Sequence, residues 1–454
     1  MFKSKRVKLY LKRRALLFVV ALSMLLLNSE NTLAKDANYD EYVQGRIEQI
    51  VSSENITRSD AELRLRWEDQ ASDLSDLILK EHVNNFSGMW IGLTDNRIKI
   101  GIKDNVVESK EHIDQLAASI GMADSYDYVS TTYSYRELQE TIQELSQDAR
   151  NIPGAQWSFI FGIVPSKNKV RVALPPTDEW LNANQLTYLK DVKQKYGDMV
   201  FLERNPGVPA AQDDCSEAIQ SCAAPLRGGV HIEDTSNYAC TSGFIARGKS
   251  TGNRYVLTAG HCARSFGVSH IWYAREYLLA PSYNIRTIGQ EKLNALGDSV
   301  DALLILRRND LPYLWSTEGS VFMRDGQGVG TSDPSRNAHW DIAGYSSNAG
   351  LENQRVCASG AKTGSSCGLI IEVNISNFNM STNWSTPIPL NGVVRYGRCS
   401  NAGDSGGPVV RGNYTHHAVG IHSAGSIGCD DYKYYTGIST ILNAFDNSIE
   451  LVTW

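Results

Sequence analysis

Two kinds of hydrophobic spacing divide the chain. Up to about residue 205, apolar positions recur at helical intervals between short β-type runs. Ser59-Asp60-Ala61-Glu62 has the form of a capping box and opens a helical run to Glu81. Ser134-Tyr135-Arg136-Glu137 opens a second in the same way, and Asp178 to Tyr196 reads as a third, stopped by Gly197. Between them, Trp90–Gly101 and Trp157–Leu174 read as hairpins, and Asn96–Ile100 echoes Asn168–Val172. The pattern predicts an α+β segment of two small helix-plus-sheet subdomains, although two ordinary hairpins explain the echo nearly as well. Beyond residue 225 the apolar runs become short and regularly spaced, as in Arg254–Ala259, Ala302–Arg307, Gly368–Val373 and Ala418–Ser423, among many Gly, Ser, Thr and Asn. This spacing predicts an all-β barrel or sandwich, with a short C-terminal helix at Ser439–Phe445.

Composition sharpens the division. The 454 residues exceed one ordinary core, and 42% hydrophobic with 21% charged residues is globular composition. A formal net charge of -6 gives no basic excess for nucleic acid. Residues 35–225 hold 19 Lys+Arg and 31 Asp+Glu, a net of -12, whereas residues 226–454 hold 18 of each. All eight cysteines lie from Cys215 onward. Lys3, Lys5, Arg6, Lys8, Lys12, Arg13 and Arg14 precede the apolar run Ala15–Leu27 and the small-residue site Thr32-Leu33-Ala34. Residues 1–34 therefore read as a secretory signal, with an uncleaved anchor as the rival. The run is shorter than the ~20 residues a membrane helix needs, so no stable span is expected after signal removal. Export makes disulfides plausible. Residues 205–225, rich in Pro, Ala and Asp, read as a linker.

Three segments of the second half carry chemistry. His261 follows a strand in Leu257–Cys262, Asp301 precedes one in Gly297–Leu303, and Ser405 sits in the glycine-rich turn Asn401–Pro408. The order is His, Asp, Ser, with gaps of 40 and 104 residues. A serine hydroxyl is a weak nucleophile and needs an imidazole to take its proton during attack. A carboxylate must hold that imidazole in the right tautomer, a task for Asp301 with Asp298 as the rival. Backbone N–H groups must meet the developing oxyanion, and those of Gly403 and Ser405 are the candidates. In the first half no chemistry stands out, and His82 and His112 read as solvated or core histidines rather than metal ligands.

The motifs LTAGHC (257–262) and GDSGGP (403–408), in this order, resemble the chymotrypsin-like serine protease family. The cysteine placement is similar to the streptogrisin and α-lytic type within it. The resemblance implies a double β-barrel catalytic domain over residues 226–454, preceded by an α+β pro-region over 35–225 that assists folding and inhibits until removed. It implies a secreted serine endopeptidase made as a zymogen and acting on protein or peptide substrates. No cofactor or metal is expected. The alternative is a catalytically inactive binding or regulatory protein on the same fold. By resemblance the disulfides are Cys240–Cys262, Cys357–Cys367 and Cys399–Cys429, which leaves Cys215 and Cys222 to close a small loop. One departure concerns Asp404. The subfamily commonly carries a basic partner where this chain has Ala358, so Arg355 or Lys362 is the expected substitute.

The resemblance also locates the specificity pocket. Cys399 stands six before Ser405, where trypsin-like members have an aspartate, which disfavours Arg or Lys before the scissile bond. Ser400, His422, Ser423, Gly425 and Lys433 are the expected substrate-binding residues. A histidine, a hydroxyl and a lysine suit a Glu or Asp side chain, with a broad apolar preference as the rival. The plainer alternative buries His422 in an ordinary hydrogen bond and points Lys433 to solvent.

Overall fold

A computed structural model describes residues 44, 47–48, 51 and 56–453, except 93–94, 96, 105–106, 123–124, 153–158, 176, 179–180, 205–209, 212–225, 237, 264–269, 280–281, 299, 309–316, 325–336, 347–349, 381–387 and 413–415. The expected signal, Cys215, Cys222 and most of the linker lie outside the described residues. Contacts divide the chain into Met1–Leu65 and Arg66–Trp454. The first unit contains the start of helix α1 (Arg58–His82). Its cap is Thr57, not Ser59: the Thr57 hydroxyl accepts from the Asp60 N–H at 3.1 Å. A hydroxyl two positions earlier caps the Asp60 amide instead of the Glu62 amide, so Ser59 falls inside the first turn.

In the second unit, one order of elements occurs twice. Strands β1 (Phe86–Ile91) and β2 (Ile98–Lys103) form an antiparallel hairpin; helix α2 (Val107–Ser119) then crosses to β3 (Tyr126–Thr131), parallel to β2. After helix α3 (Tyr135–Arg150), strands β4 (Ile160–Val164) and β5 (Lys169–Leu174) form another hairpin; helix α4 (Ala183–Tyr196) crosses to β6 (Val200–Arg204), parallel to β5. The sequence explains the ends. Ser134 and Glu137 form a reciprocal capping box on α3. Asn168 makes the second hairpin's turn at φ 51°, a left-handed conformation asparagine tolerates. Helix α4 starts at Ala183 rather than Asp178, because Asn182 and Gln185 cap each other there. Gly197, at φ 53°, ends it. Each repeat has its own core, one around Ile78, Ile100, Ile113 and Met122, the other around Leu138, Phe161, Val172 and Leu189.

A short strand, β7 (Ala210–Ala211), leads to two sheets of the second half. The first contains β8 (His231–Asp234), β9 (Ala239–Thr241), β10 (Ile245–Gly248), β11 (Arg254–Thr258), β12 (Ile271–Leu279), β13 (Ser282–Asn294) and β14 (Leu303–Arg307), in the order β9-β8-β12-β13-β14-β11-β10. The second contains β15 (Arg355–Gly360), β16 (Gly364–Ser376), β17 (Val393–Ser400), β18 (Pro408–Arg411), β19 (Ala418–Gly425) and β20 (Gly428–Gly437). Its pairings run β15-β16-β17-β20-β19-β18 and return to β15, which closes a six-stranded barrel. Helix α5 (Ile438–Ala444) follows, one residue earlier than its sequence pattern indicates. The architecture is a double β-barrel preceded by an α+β region.

The second repeat and the second barrel share a sheet. Strand β4 pairs with the outer edge of β16, Ile163 opposite Val373 and Phe161 opposite Ser376. Four charges cross this seam. Arg171 Nη2 lies 2.6 Å from Glu372 Oε2 and Arg171 Nη1 lies 2.9 Å from Glu203 Oε2, while Arg395 approaches both carboxylates at 3.5 and 3.6 Å. Arg171 and Glu372 are fully buried. Gly162 makes room for this arrangement, since a Cβ there would overlap the Glu372 carboxylate. The second repeat also meets the segment before β15: the Ser166 N–H and hydroxyl both donate to Glu352, at 2.8 and 2.6 Å.

Candidate active site

Strand pairing brings the histidine and the aspartate together. In the antiparallel pair of β11 and β14, Thr258 stands opposite Leu303. His261 lies three residues beyond the end of β11, in the turn Gly260–Cys262, and Asp301 lies two before β14. His261 Nδ1 is 2.9 and 3.0 Å from the two Asp301 carboxylate oxygens, and the His261 backbone N–H donates to Oδ1 at 2.9 Å. Both residues are buried. The carboxylate thus holds the ring by two contacts and its backbone by a third, and favours a proton on Nδ1.

The serine turn is fastened to the same frame. Ser405 O accepts from the Thr241 N–H at 2.8 Å, and Gly403 O accepts from the Thr241 hydroxyl at 2.7 Å. The neighbouring Cys240 is bonded to Cys262, beside His261. One short strand, β9, therefore holds both turns. Gly403 and Gly406 take φ of 97° and 85°, and a Cβ on Gly406 would overlap the Thr258 hydroxyl and Thr241 O. Around the turn, the N–H groups of Asp404, Gly406 and Gly407 donate to Asn401 O, His422 O and Asp404 O. The Ser405 hydroxyl lies 3.4 Å from Ser423 O. The disulfides Cys357–Cys367 and Cys399–Cys429 complete the three pairings the resemblance implies.

Asp404 has a partner that sequence reasoning missed. Neither Arg355 nor the Lys362 side chain serves. Arg398 Nη2 lies 3.3 Å from Asp404 Oδ2, with both side chains fully buried. The backbone N–H groups of Lys362, Thr363 and Asn401 and the Thr363 hydroxyl also donate to this carboxylate. Lys362 thus contributes its amide rather than its ammonium. Strand alternation in β17 could not have found Arg398, because the register shifts between Tyr396 and Arg398.

The expected pocket residues separate into different settings. His422 is fully buried, and its Nδ1 lies 3.0 Å from the Tyr396 hydroxyl. Burial, with Arg398, Lys433 and His261 adding positive potential, holds the His422 imidazole well below its ordinary range, so it is neutral. Burial pushes the Tyr396 phenol up to about 12. Lys433 does not point to solvent. It is fully buried opposite Gly425, and its Nζ donates to Asp430 at 2.6 Å and Ser426 at 2.9 Å. The carboxylate offsets the cost of burying the ammonium. The Ser423 hydroxyl meets Thr436 at 2.9 Å. The buried Ser400 hydroxyl has no partner among the described residues. Strand β7 lies antiparallel on the end of β19, Ala211 opposite Ala424 and Ala210 opposite Gly425.

The chain is similar to several known proteins. Residues 337–447 match the family described as Trypsin. Serine protease 1 of Streptomyces fradiae is 28% identical over 295 residues, which covers 64% of this chain and 65% of the relative. Streptogrisin-C of Streptomyces griseus is 28% identical over 238 residues, covering 51% of this chain and 42% of the relative. The chain thus spans less than two thirds of the length of these relatives. Protease A of Thermobifida fusca has 23% identity and a TM-score of 0.35, covering 51% of this chain and 100% of that one. The second half is similar to chymotrypsin-like serine proteases. Within that family it is similar to the streptomycete serine proteases. Among the described residues no helix is long and apolar enough to cross a membrane.

Proposed function

We propose that the chain is a secreted serine endopeptidase made as a zymogen, with His261, Asp301 and Ser405 as its triad. The observation that carries this reading is the buried His261–Asp301 pair, held by strand β9 together with the serine turn. Ser405 Oγ attacks the scissile carbonyl while His261 Nε2 takes the hydroxyl proton. The same nitrogen then delivers that proton to the leaving amine. Asp301 keeps the other ring proton on Nδ1 and stabilises the imidazolium. The N–H groups of Gly403 and Ser405 stabilise the oxyanion. Water, activated by His261, hydrolyses the acyl-enzyme. A fluorophosphonate probe tests the reading: the processed wild-type protein should be labelled and Ser405→Ala should not. No labelling of the wild type would count against catalysis.

Residues 35–225 act in this reading as a pro-region that assists folding and inhibits. Two observations support it. Strand β4 extends the barrel's own sheet, and β7 lies on β19 where an extended peptide substrate would pair. The 295-residue alignment to the S. fradiae relative is also longer than the protease domain alone. Mass spectrometry of the secreted form checks the boundary; an N-terminus near Lys35 with full activity would contradict it.

An acidic side chain before the scissile bond is the proposed preference. The neutral His422, hydrogen-bonded to the Tyr396 hydroxyl, lies in a surrounding made positive by Arg398 and Lys433, which suits a carboxylate. Peptide-library cleavage without enrichment of Glu or Asp at that position would sink it.

A further inference from the structure

The first repeat carries a cluster of donor atoms that the protease chemistry does not use. His82 ends α1 and His112 lies in α2, thirty residues on, yet His82 Nε2 and His112 Nδ1 stand 2.9 Å apart. His112 Nε2 is 3.3 Å from Glu81 Oε2. One ligand atom from each of the three residues can be chosen so that all lie within 4.8 Å of one another. The two histidines, far apart in sequence, meet because they lie on different helices.

The surrounding structure fixes the cluster from both sides. Ser109 and His112, three apart, share a face of α2. The Asn85 side-chain amide donates to the Ser109 hydroxyl at 3.0 Å, and the Asn85 N–H donates to His82 O at 2.9 Å. Lys103, at the end of β2, donates its N–H to Asn85 O at 2.7 Å. Glu81 and His112 are about half exposed, so water can fill any remaining coordination positions.

The geometry points to a site for a divalent transition-metal ion of the zinc type, held by His82 Nε2, one ring nitrogen of His112 and a carboxylate oxygen of Glu81. Two imidazoles and a carboxylate suit Zn²⁺, or Cu²⁺ and Ni²⁺, whereas Ca²⁺ and Mg²⁺ require oxygen ligands. Zn–N distances of ~2.0–2.1 Å in a tetrahedron place neighbouring donors roughly 3.3 Å apart, so the two rings need only a slight opening. The ion would tie the end of α1 to α2 in a region that contains no cysteine before Cys215.

The test is calorimetric titration of ZnCl₂ into the full precursor bearing Ser405→Ala, with thermal unfolding in parallel and CaCl₂ as control. One saturable zinc site per chain and a raised Tm are expected, with no response to calcium. Affinity should fall by roughly tenfold or more in His82→Ala and in His112→Ala, and less in Glu81→Gln. His112→Gln keeps a hydrogen-bonding amide beside His82 while removing the imidazole; circular dichroism establishes that it is folded. Loss of zinc binding in folded His112→Gln upholds the site. Retained binding in that variant, an equal response to calcium, or no saturable zinc binding in the parent would overturn it.

Discussion

The α+β half and the double barrel hold themselves together by different means. Each repeat of the first half closes a small core of helix on sheet without any cysteine. The barrels carry three disulfides, and one of them staples the strand that anchors both catalytic turns. Small cores bury little and are correspondingly marginal. The second repeat compensates by adding its sheet to the barrel and burying Arg171 against Glu372, a residue of the other half. The barrel owns the frame of its site; the α+β half borrows part of its stability.

The largest expected effect tests which half owns the chemistry. Asp301→Asn should lower kcat of the processed enzyme about 10,000-fold, with its unfolding midpoint nearly unchanged, because it leaves the wrong tautomer on His261. Next comes the seam. Arg171→Met in the Ser405→Ala precursor leaves Glu372 buried beside only the more distant Arg395, and should cost about 3 kcal/mol in urea unfolding. An unfolding midpoint unchanged by Arg171→Met would break the comparison.

Replacing both Cys357 and Cys367 by Ala should cost the barrel about 2–3 kcal/mol, since that bridge closes a short loop. The first half should keep its own unfolding transition. The smallest effect is a pH dependence at Glu352. Burial, with Glu372 adding, pushes the Glu352 carboxyl up against the opposing pull of Ser166 and Lys167. A carboxyl raised in the docked state contributes fully below its undocked pKa and loses that contribution as pH rises through the docked value. Dissociation of a nicked precursor, followed by gel filtration, should therefore become a few-fold easier from pH 5 to pH 8. Glu352→Gln should flatten that trend.

Local chemistry was legible in the sequence, and long-range pairing was not. His261, Asp301 and Ser405 each sit in a short motif, and the capping box at Ser134 is complete within four residues. The starts of α1 and α4 were misread because Thr57 and Asn182 offer equivalent caps near the expected ones. The ion pair of Arg398 with Asp404 depends on how β17 approaches the serine turn, across a bulge between Tyr396 and Arg398. Lys433 was expected among the substrate-binding residues, and only strand pairing shows it inside with Asp430 as its partner. The joining of β4 to β16 had no local signal, because either edge would read the same with another partner or with none.

That joining bears on what would remain after the proposed processing. Removal of the first half would strip β16 of its neighbour and leave a row of backbone donors and acceptors facing water, a template on which another chain could stack. Glu372 would then change office. The carboxylate that docks Arg171 in the precursor would stand hydrated on a bare edge, and a charge in that position discourages strand-to-strand aggregation. A single side chain would thus serve as latch before cleavage and as guard against clumping afterwards.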